Sequence, residues 1–406
     1  MTAPPRPLLV RPLQYRDLDL LEHLWANSQP SLGWEEDWKL EQEWIHRWYW
    51  PLQLLSWFPN PWQHRSCLYV ADSETSPVPR QPIGLIHVLP FNRSRSTWRI
   101  QRIITTGQVH TNGREAPGNL TGTNSLPEKR SENLTGNLTL ASDVGSQLLR
   151  YCLENIWEAR TWIADVEVND KAKLSLYRQN GFQPLAQITR WAIDPELLTQ
   201  LSQRESELSN LLPVSNADAR LIYQLDTVSM PPLLRQVFDR HVADFQINLW
   251  DTGLNQMQNM VSPSQTIAKF VFEPQRKAAI GYLHLTLNPG NDRPHKAKLT
   301  VHPAYTWLYP ELLTYMARLT QGYPPKSLVL KSADYQPERE AYLEQIQADR
   351  IEHHLLMSRS VWHKLREQRS AYFEALQLPD MLQGLQPSGK PVPGRMSCSP
   401  SSRSSR

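Results

Sequence analysis

The stretch from Val166 to Phe182 constrains the fold more than any other part of the chain. It starts within an alternating strand at 163–168, turns at 169–170, and continues with apolar residues spaced for one face of a helix. Gly181 is expected to end that helix, because a residue without a Cβ adopts the left-handed conformation easily. Another strand follows at 182–193. The stretch therefore predicts strand, helix, glycine stop and strand in succession.

This order and its residues resemble the cofactor-side end of the GNAT superfamily of acyl-CoA N-acyltransferases, where an apolar strand precedes Asn, Ala, Leu-Tyr and Gly-Phe. Leu176-Tyr177 and Gly181-Phe182 stand at the family's spacing. Asn169 lies one residue further from Tyr177 than the family's asparagine, which leaves Asp170 in the expected phase. The V-R-P-x-x-x-x-D-L segment at 10–18 is also similar to the family's first strand and helix.

Composition narrows the class of protein. A chain of 406 residues predicts two domains, and a net charge of +3 argues against a nucleic-acid or membrane surface. The three cysteines are scattered, and His353-His354 has no Cys or carboxylate companion, so neither a disulfide framework nor a metal site is predicted. The absence of an apolar leader or membrane-length run predicts a cytoplasmic protein. The oligomeric state is left open.

The element order is predicted to repeat. We expect an α/β (α+β) protein of two GNAT-like domains, each a mixed, mostly antiparallel sheet flanked by helices. The predicted boundaries are an N-terminal domain at 1–195, a helical linker at 196–212 and a C-terminal domain at 213–366. A mobile insertion is expected at about 106–139 and a disordered tail at 386–406, because both segments are poor in apolar residues.

Several elements of the second domain are predicted individually. Helical sequence at 195–212 is expected to bridge the domains, and strands are predicted at 221–225 and 355–361, among others. The second domain lacks both the glycine loop and the Gly-Phe pair. It is therefore expected to be a copy that binds no cofactor and packs against, or completes, the first.

The resemblance implies that acetyl-CoA, or another acyl-CoA, is the co-substrate. The diverging strands of the fold would pair with its pantetheine arm, and a helix N-terminus would hold its pyrophosphate. Of the family's loop motif only the last glycine, Gly145, is retained, with Val144 and Ser146 beside it. Asp143 opposes a pyrophosphate at this place, and Ser142 and Asp143 acting as plain helix caps are the alternative.

The resemblance also assigns roles to individual residues. Tyr177 would protonate the departing thiolate, Asn169 or Asp170 would hold an amide, and a backbone N–H near Ile103 or Ile104 would meet the oxyanion. Structural roles are the alternatives: a packed tyrosine ring and ordinary turn residues.

The general base is not identified by any motif. Glu167, which shares a strand face with Asp165, is the candidate that we select, and His87 is another.

The expected activity is transfer of an acyl group to an amine by direct attack on the thioester. A tryptophan-rich segment at 25–62, with several acidic residues, lies where the family builds its acceptor pocket, although packing is its commoner role. The alternative is a degenerate GNAT-like module that binds acyl-CoA or a protein without turnover, and a third possibility is a scaffold that docks a protein through this segment.

Overall fold

A computed structural model describes residues 8–14, 17, 67–73, 82–105, 143–206, 208, 210–246, 264–290 and 293–361. The predicted first helix, the tryptophan-rich segment, the insertion at about 106–139 and the tail at 386–406 lie outside these residues. Within the described part, no helix has the length and apolar character needed to cross a membrane.

The described residues of the N-terminal half form six strands and two helices. The strands are β1 (Leu8–Pro12), β2 (Cys67–Ser73), β3 (Pro82–Pro90), β4 (Thr97–Thr105), β5 (Thr161–Glu167) and β6 (Gln183–Ile193). Helix α1 spans 143–155 and precedes β5, and α2 (Lys171–Gln179) follows it. Gly181 follows α2 with φ of +78°, so the predicted left-handed stop is present.

The C-terminal half repeats this order with additional helices. It contains α3 (Pro195–Ser202), β7 (Leu211–Pro213), α4 (Ala219–Ser229), α5 (Pro232–Phe238), β8 (Gln265–Glu273), β9 (Ala278–Leu287), β10 (His295–Val301), α6 (Leu308–Thr320), β11 (Leu328–Ala333), α7 (Pro337–Gln345) and β12 (Asp349–Ser360). A single offset of 166 residues relates α2 to α7 (171 to 337) and β6 to β12 (183 to 349). The predicted internal repeat is therefore visible in the helix and strand bounds.

All strands of both halves form one twelve-stranded sheet in the order β1-β2-β3-β4-β5-β12-β6-β11-β10-β9-β8-β7. The order is symmetric about its centre, because each strand of one half has its counterpart at the mirrored position. The last strand of each half pairs inside the other half: β12 lies between β5 and β6, and β6 lies between β12 and β11. The fold class is confirmed, with the two expected sheets joined into one.

The sheet contains two parallel strand pairs, and each pair diverges. Strands β4 and β5 pair only from Thr97–Thr161 to Ile100–Ala164, and β10 and β11 pair only at His295–Leu328 and Lys296–Val329. Beyond these positions β4 continues beside β3, and β5 continues beside β12. We call the diverging part of β4 and β5 the first gap, and that of β10 and β11 the second gap.

Helices α1 and α6 occupy matching positions on one face of the sheet. A Cβ on Gly84 would lie 2.8 Å from Val144 and 3.0 Å from Leu148, and a Cβ on Gly281 would lie 3.2 Å from both Leu308 and Leu312. Both glycines thus allow a helix to approach its strand closely. The match makes Tyr309, after Leu308, the counterpart of Gly145, after Val144.

Three elements differ from the sequence-based predictions. The predicted strand at 221–225 is helix α4, whose buried residues Ile222, Leu225 and Ser229 recur three and four positions apart. The predicted helical bridge at 195–212 ends at Ser202, and strand β7 begins at Leu211. The exchanged strand β12 also begins at Asp349, before the predicted 355. The domain boundaries at 195 and 213 stay predictions, since the sheet continues across them.

Candidate active site

The first gap brings together several of the residues singled out from the sequence. Ile103 of β4, Val144 of α1 and Tyr177 of α2 are buried in one apolar cluster with Val166 of β5. Ile104 is buried too, but it lies outside that cluster. The cluster covers the helix side of the gap.

Gly145 leaves space between α1, β4 and α2. A Cβ built on it would lie 3.1 Å from the Leu176 side chain and 3.7 Å from that of Ile103. A larger residue at 145 would therefore crowd Leu176 of α2, whereas its Cβ would make only an ordinary van der Waals contact with Ile103 of β4. The neighbouring Ser146 is buried, and its hydroxyl accepts a hydrogen bond of 3.0 Å from the Asn180 side chain. That hydroxyl has a structural role, which leaves any ligand contact to the backbone.

Tyr177 is buried, with 4% of its surface exposed. Its ring meets the Phe182 ring edge-on at 5.2 Å, as expected when the chain folds back after Gly181. Burial, and then the charges of Asp170 and Asp165, raise the pKa of Tyr177. The phenol therefore keeps its proton throughout the neutral range and can act only as an acid there.

The turn before α2 separates the two candidate amide holders. Asn169 is exposed. Asp170 caps the helix, because its carboxylate accepts from the Lys173 backbone N–H at 2.9 Å and lies 2.7 Å from the Lys173 ammonium. Asp170 thus has a structural role as a helix cap, where the alternative predicted from the sequence was an ordinary turn residue.

The two acidic residues of β5 differ sharply. Glu167 is half-buried, and no ion pair engages its carboxylate within the described ranges. Asp165 is 10% exposed, and three cationic groups surround its carboxylate: His354 at 2.9 Å, Lys331 at 3.1 Å and Arg99 at 3.4 Å. Burial alone would raise the pKa of Asp165, but these neighbours outweigh it and hold the pKa well below its ordinary value. Asp165 is thus a poor base and a strong electrostatic anchor.

His354 links Asp165 to a second carboxylate. Its ring nitrogens lie 2.9 Å from Asp165 and 2.9 Å from Glu352, and Glu352 lies 2.9 Å from Arg190. Burial alone would lower the pKa of His354, but the two carboxylates raise it to about 9. The imidazole is therefore protonated at neutral pH. Because His354 and Glu352 belong to β12, this network fixes the exchanged strand against both β5 and β6.

The second gap is filled by a side chain. The Arg339 guanidinium is buried and donates to the Leu299 carbonyl of β10 at 2.5 Å and to the Lys331 carbonyl of β11 at 2.9 Å. It also lies 5.6 Å from the centre of the Tyr309 ring. By the 166-residue offset, Arg339 matches Lys173, and Leu343 matches Tyr177. The backbone groups that diverging strands would offer to a pantetheine arm are partly satisfied here by arginine.

Comparison with a solved structure supports this architecture. A tandem GNAT protein from the clavulanic acid biosynthesis pathway aligns with 88% of this chain and 99% of its own, at 12% identity and a TM-score of 0.50. The chain has a tandem GNAT fold. A GCN5-related N-acetyltransferase from Sphaerobacter thermophilus also aligns (11% identity, 89% and 98% covered, TM-score 0.44), as does a putative acetyltransferase from Pyrococcus horikoshii (9% identity, 89% and 91% covered, TM-score 0.45). No protein-family model and no curated protein matches the sequence.

His87, the other candidate for the general base, lies inside the GNAT fold. His87 is buried in β3, and burial followed by the charge of Arg102 lowers its pKa to about 4, so it is neutral at pH 7. In the part of the chain that the structure describes, no group of His, Cys, Asp and Glu side chains is arranged to hold a metal ion.

Replacing Arg339 tests whether it serves to fill the second gap of the GNAT fold. Arg339→Met would leave the Leu299 and Lys331 carbonyls without their donor, at a cost of roughly 1–3 kcal/mol for each buried group. Relief of a buried cation offsets part of this, since burial lowers the pKa of Arg339. We expect a net loss of about 2 kcal/mol in urea unfolding. The matched variant Lys173→Met should change stability by less than about 0.5 kcal/mol. An Arg339→Met protein as stable as the parent would contradict this role.

The His354 network predicts a pH dependence of stability. A group whose folded pKa is raised contributes stability that is fully present below its unfolded pKa of 6.5 and is lost as pH rises through about 9. The difference corresponds to about 3 kcal/mol, which screening by solvent reduces to about 2 kcal/mol. We expect the free energy of unfolding to fall over this range in urea titrations. His354→Gln should remove that slope, and equal slopes in both proteins would refute the assignment.

Proposed function

We propose that the N-terminal half binds acetyl-CoA, or another acyl-CoA, in the first gap and transfers the acyl group to an amine. The observation that carries the proposal is the difference between the two gaps. Arg339 crosses the second gap between carbonyls of both strands. In the first half the position of Arg339 is held by Lys173, whose ammonium pairs with Asp170 at 2.7 Å, and glycine stands at 145 where the second half has Tyr309. The Arg99 side chain of β4 pairs with Asp165 of β5 at 3.4 Å, at the start of the first gap and on the sheet face opposite α1. A thioester arm can extend along strand edges only where they are not already bridged.

The proposed chemistry is direct attack. The amine nitrogen bonds to the thioester carbonyl carbon, the C–S bond breaks, and the thiolate takes its proton from Tyr177, which regains a proton from solvent before the next turnover. The ammonium proton passes to a carboxylate or to solvent, and Glu167 is better suited than Asp165, whose pKa is held low by its cationic neighbours. Backbone N–H groups near Ile103 and Ile104, with those of Val144, Gly145 and Ser146, are the proposed contacts of the carbonyl oxygen and the pyrophosphate. Asn169 is the proposed partner of an amide of the pantetheine arm.

Calorimetric titration tests the cofactor site. We expect one acetyl-CoA per chain, because only the first gap is proposed to accept it. Adenosine 3′,5′-bisphosphate, which lacks the pantetheine arm, should bind at least about tenfold more weakly, a difference of about 1.4 kcal/mol. Absence of acetyl-CoA binding at high micromolar concentration would refute the proposal. Equal affinity for the two ligands would refute the strand-gap mode.

One observation favours the second candidate, a module that binds acyl-CoA without turnover. The Tyr177 side chain is buried against Phe182, as a packing residue would be. A free-thiol assay over small amines and peptide N-termini separates the candidates, because only the enzyme releases CoA in proportion to amine consumed.

A further inference from the structure

Asn180 is a buried side chain at the end of α2, three residues after Tyr177. Its Nδ2 donates to the Ser146 hydroxyl at 3.0 Å and to the Leu176 carbonyl at 2.8 Å. Its Oδ1 accepts from the Arg150 guanidinium at 3.3 Å. A carbonyl can only accept and a guanidinium can only donate, so these partners fix the orientation of the amide. The oxygen and the nitrogen of the amide are thus both engaged.

The backbone of Asn180 joins a third element to the same point. Its N–H closes the last turn of α2 on the Tyr177 carbonyl at 3.1 Å, and its carbonyl accepts from the Arg359 guanidinium of β12. Because β12 belongs to the second half, Asn180 connects α1, α2 and the exchanged strand. We call the set formed by Asn180, Ser146, Arg150 and Arg359 the hub.

The hub lies between the two ends of the proposed cofactor site. Ser146 follows Gly145 in the first turn of α1, where the pyrophosphate is proposed to bind. Asn180 follows Tyr177, the proposed acid, by less than one helical turn. A Cβ on Gly145 would lie 3.1 Å from Leu176, so the two helices approach each other closely at this point. The bond between Asn180 and Ser146 is therefore a direct polar connection between the two ends.

The second half has the same backbone at this place with an apolar side chain. By the 166-residue offset Ile346 matches Asn180, and each ends its helix through its own backbone N–H. The next residues, Gly181 and Gln347, both have positive φ, 78° and 60°. Ile346 is buried in the apolar core of its half. The fold thus accepts an apolar side chain here, in the half whose gap is filled by Arg339.

We propose that Asn180 is a positioning residue, which holds the start of α1 at a fixed place relative to Tyr177 so that both ends of an acyl-CoA meet their partners at once. The assignment rests on the proposed function. In this role the amide contacts no substrate atom and acts through Ser146, whose position sets that of the backbone N–H groups at 144–146. Loss of the Asn180 side chain frees the first turn of α1, whereas the end of α2 is kept by the backbone.

Two acyl donors of different length test this role. Acetyl-CoA uses both ends of the site, whereas S-acetylpantetheine lacks the pyrophosphate. Asn180→Ala should raise KM for acetyl-CoA about tenfold and KM for S-acetylpantetheine by less than about twofold. A merely structural loss would lower the active fraction equally for both donors. Equal changes with the two donors, or an unchanged KM for acetyl-CoA, would overturn the proposal.

Asn155→Ala is the matched control. Asn155 is exposed at the opposite end of α1, and its side chain also donates to the carbonyl four residues earlier, that of Tyr151, at 2.8 Å. Its replacement should leave both KM values unchanged. Ser146→Ala removes only the hydroxyl partner, so it serves as the test if Asn180→Ala does not fold. It should raise KM for acetyl-CoA about threefold or more, and the double variant should be no worse than Asn180→Ala, since both remove the same bond. Additive effects would overturn the proposal.

Hydrogen exchange in the free chain tests the positioning without a ligand. Asn180→Ala should speed amide exchange at 147–150, in the first turns of α1, about tenfold, whereas β3 should exchange at the parental rate. Unchanged exchange in α1 would overturn the role of Asn180. A parent chain that binds no acetyl-CoA would refute the proposed function and this role together. Acyl transfer with KM values that do not respond to Asn180→Ala would refute this role and leave the proposed function standing.

Discussion

Asp165→Ala is expected to lower the free energy of unfolding by about 3–5 kcal/mol. The substitution removes the carboxylate that His354, Lys331 and Arg99 share and leaves their charges together on a largely buried surface. Removing one partner of a buried ion pair costs this much, because the remaining charge loses both its hydration and its partner. Urea unfolding at pH 7 measures the loss.

Glu167→Ala is the matched control for this loss. Glu167 lies two residues along the same strand on the same face, but no ion pair engages its carboxylate among the described residues. Its replacement should cost less than about 0.5 kcal/mol. Comparable losses in the two variants would mean that Asp165 contributes only as a strand residue, and the electrostatic account would fail.

Tyr177→Phe is expected to slow CoA release about 100-fold on an amine acceptor, which corresponds to about 2.7 kcal/mol of transition-state stabilisation. The reason is loss of the proton that the buried phenol would give to the departing thiolate. Acetyl-CoA affinity should stay nearly unchanged, because phenylalanine preserves the ring contact with Phe182. A free-thiol assay gives the rate, and calorimetry gives the affinity.

An acyl donor with a more acidic thiol sharpens the test of Tyr177. If the phenol is the acid, an acyl donor whose thiol has a lower pKa should recover part of the lost rate in Tyr177→Phe, since a weakly basic thiolate leaves without a proton. Leu343→Ala, at the corresponding position of the second half, should leave the rate per folded protein unchanged. Equal CoA release by the parent and Tyr177→Phe would remove Tyr177 from the mechanism.

Much of the fold is predictable because local signals agree with it. Gly181 ends α2 as expected, since the left-handed φ of +78° is a local demand that a single residue reveals. The strand predicted at 221–225 failed for the opposite reason. β-branched and aromatic residues favour a strand locally, but burial of Ile222 and Leu225 against the sheet selects a helix. The path of β12 could not be predicted, since exchange between halves depends on long-range pairing.

The sequence predicts which elements surround the candidate site, but it does not predict the ion pairs beside it. Tyr177 and Ile103 lie in one apolar cluster, and a Cβ on Gly145 would lie 3.7 Å from Ile103, because the order of strands and helices ties their positions together. Their roles in a cofactor site stay predictions. Glu167 and Asp165 look alike in sequence, and only the pairing of β12 with β5 and the folding of β11 nearby bring His354 and Lys331 to one of them. Arg339 could not be recognised from the sequence either. It is one arginine in an ordinary helix, and only the fold brings its guanidinium to carbonyls of both β10 and β11.

Exchange of β6 and β12 makes each half of the sheet depend on the other. A chain cut short before residue 349 would leave facing edges of β5 and β6 without their shared neighbour and would strip Asp165 of its imidazolium. The second half can therefore hold Arg339 across its own gap without weakening the first, but it cannot dispense with its last strand. We accordingly expect substitutions to be tolerated less well in β12 than around Arg339.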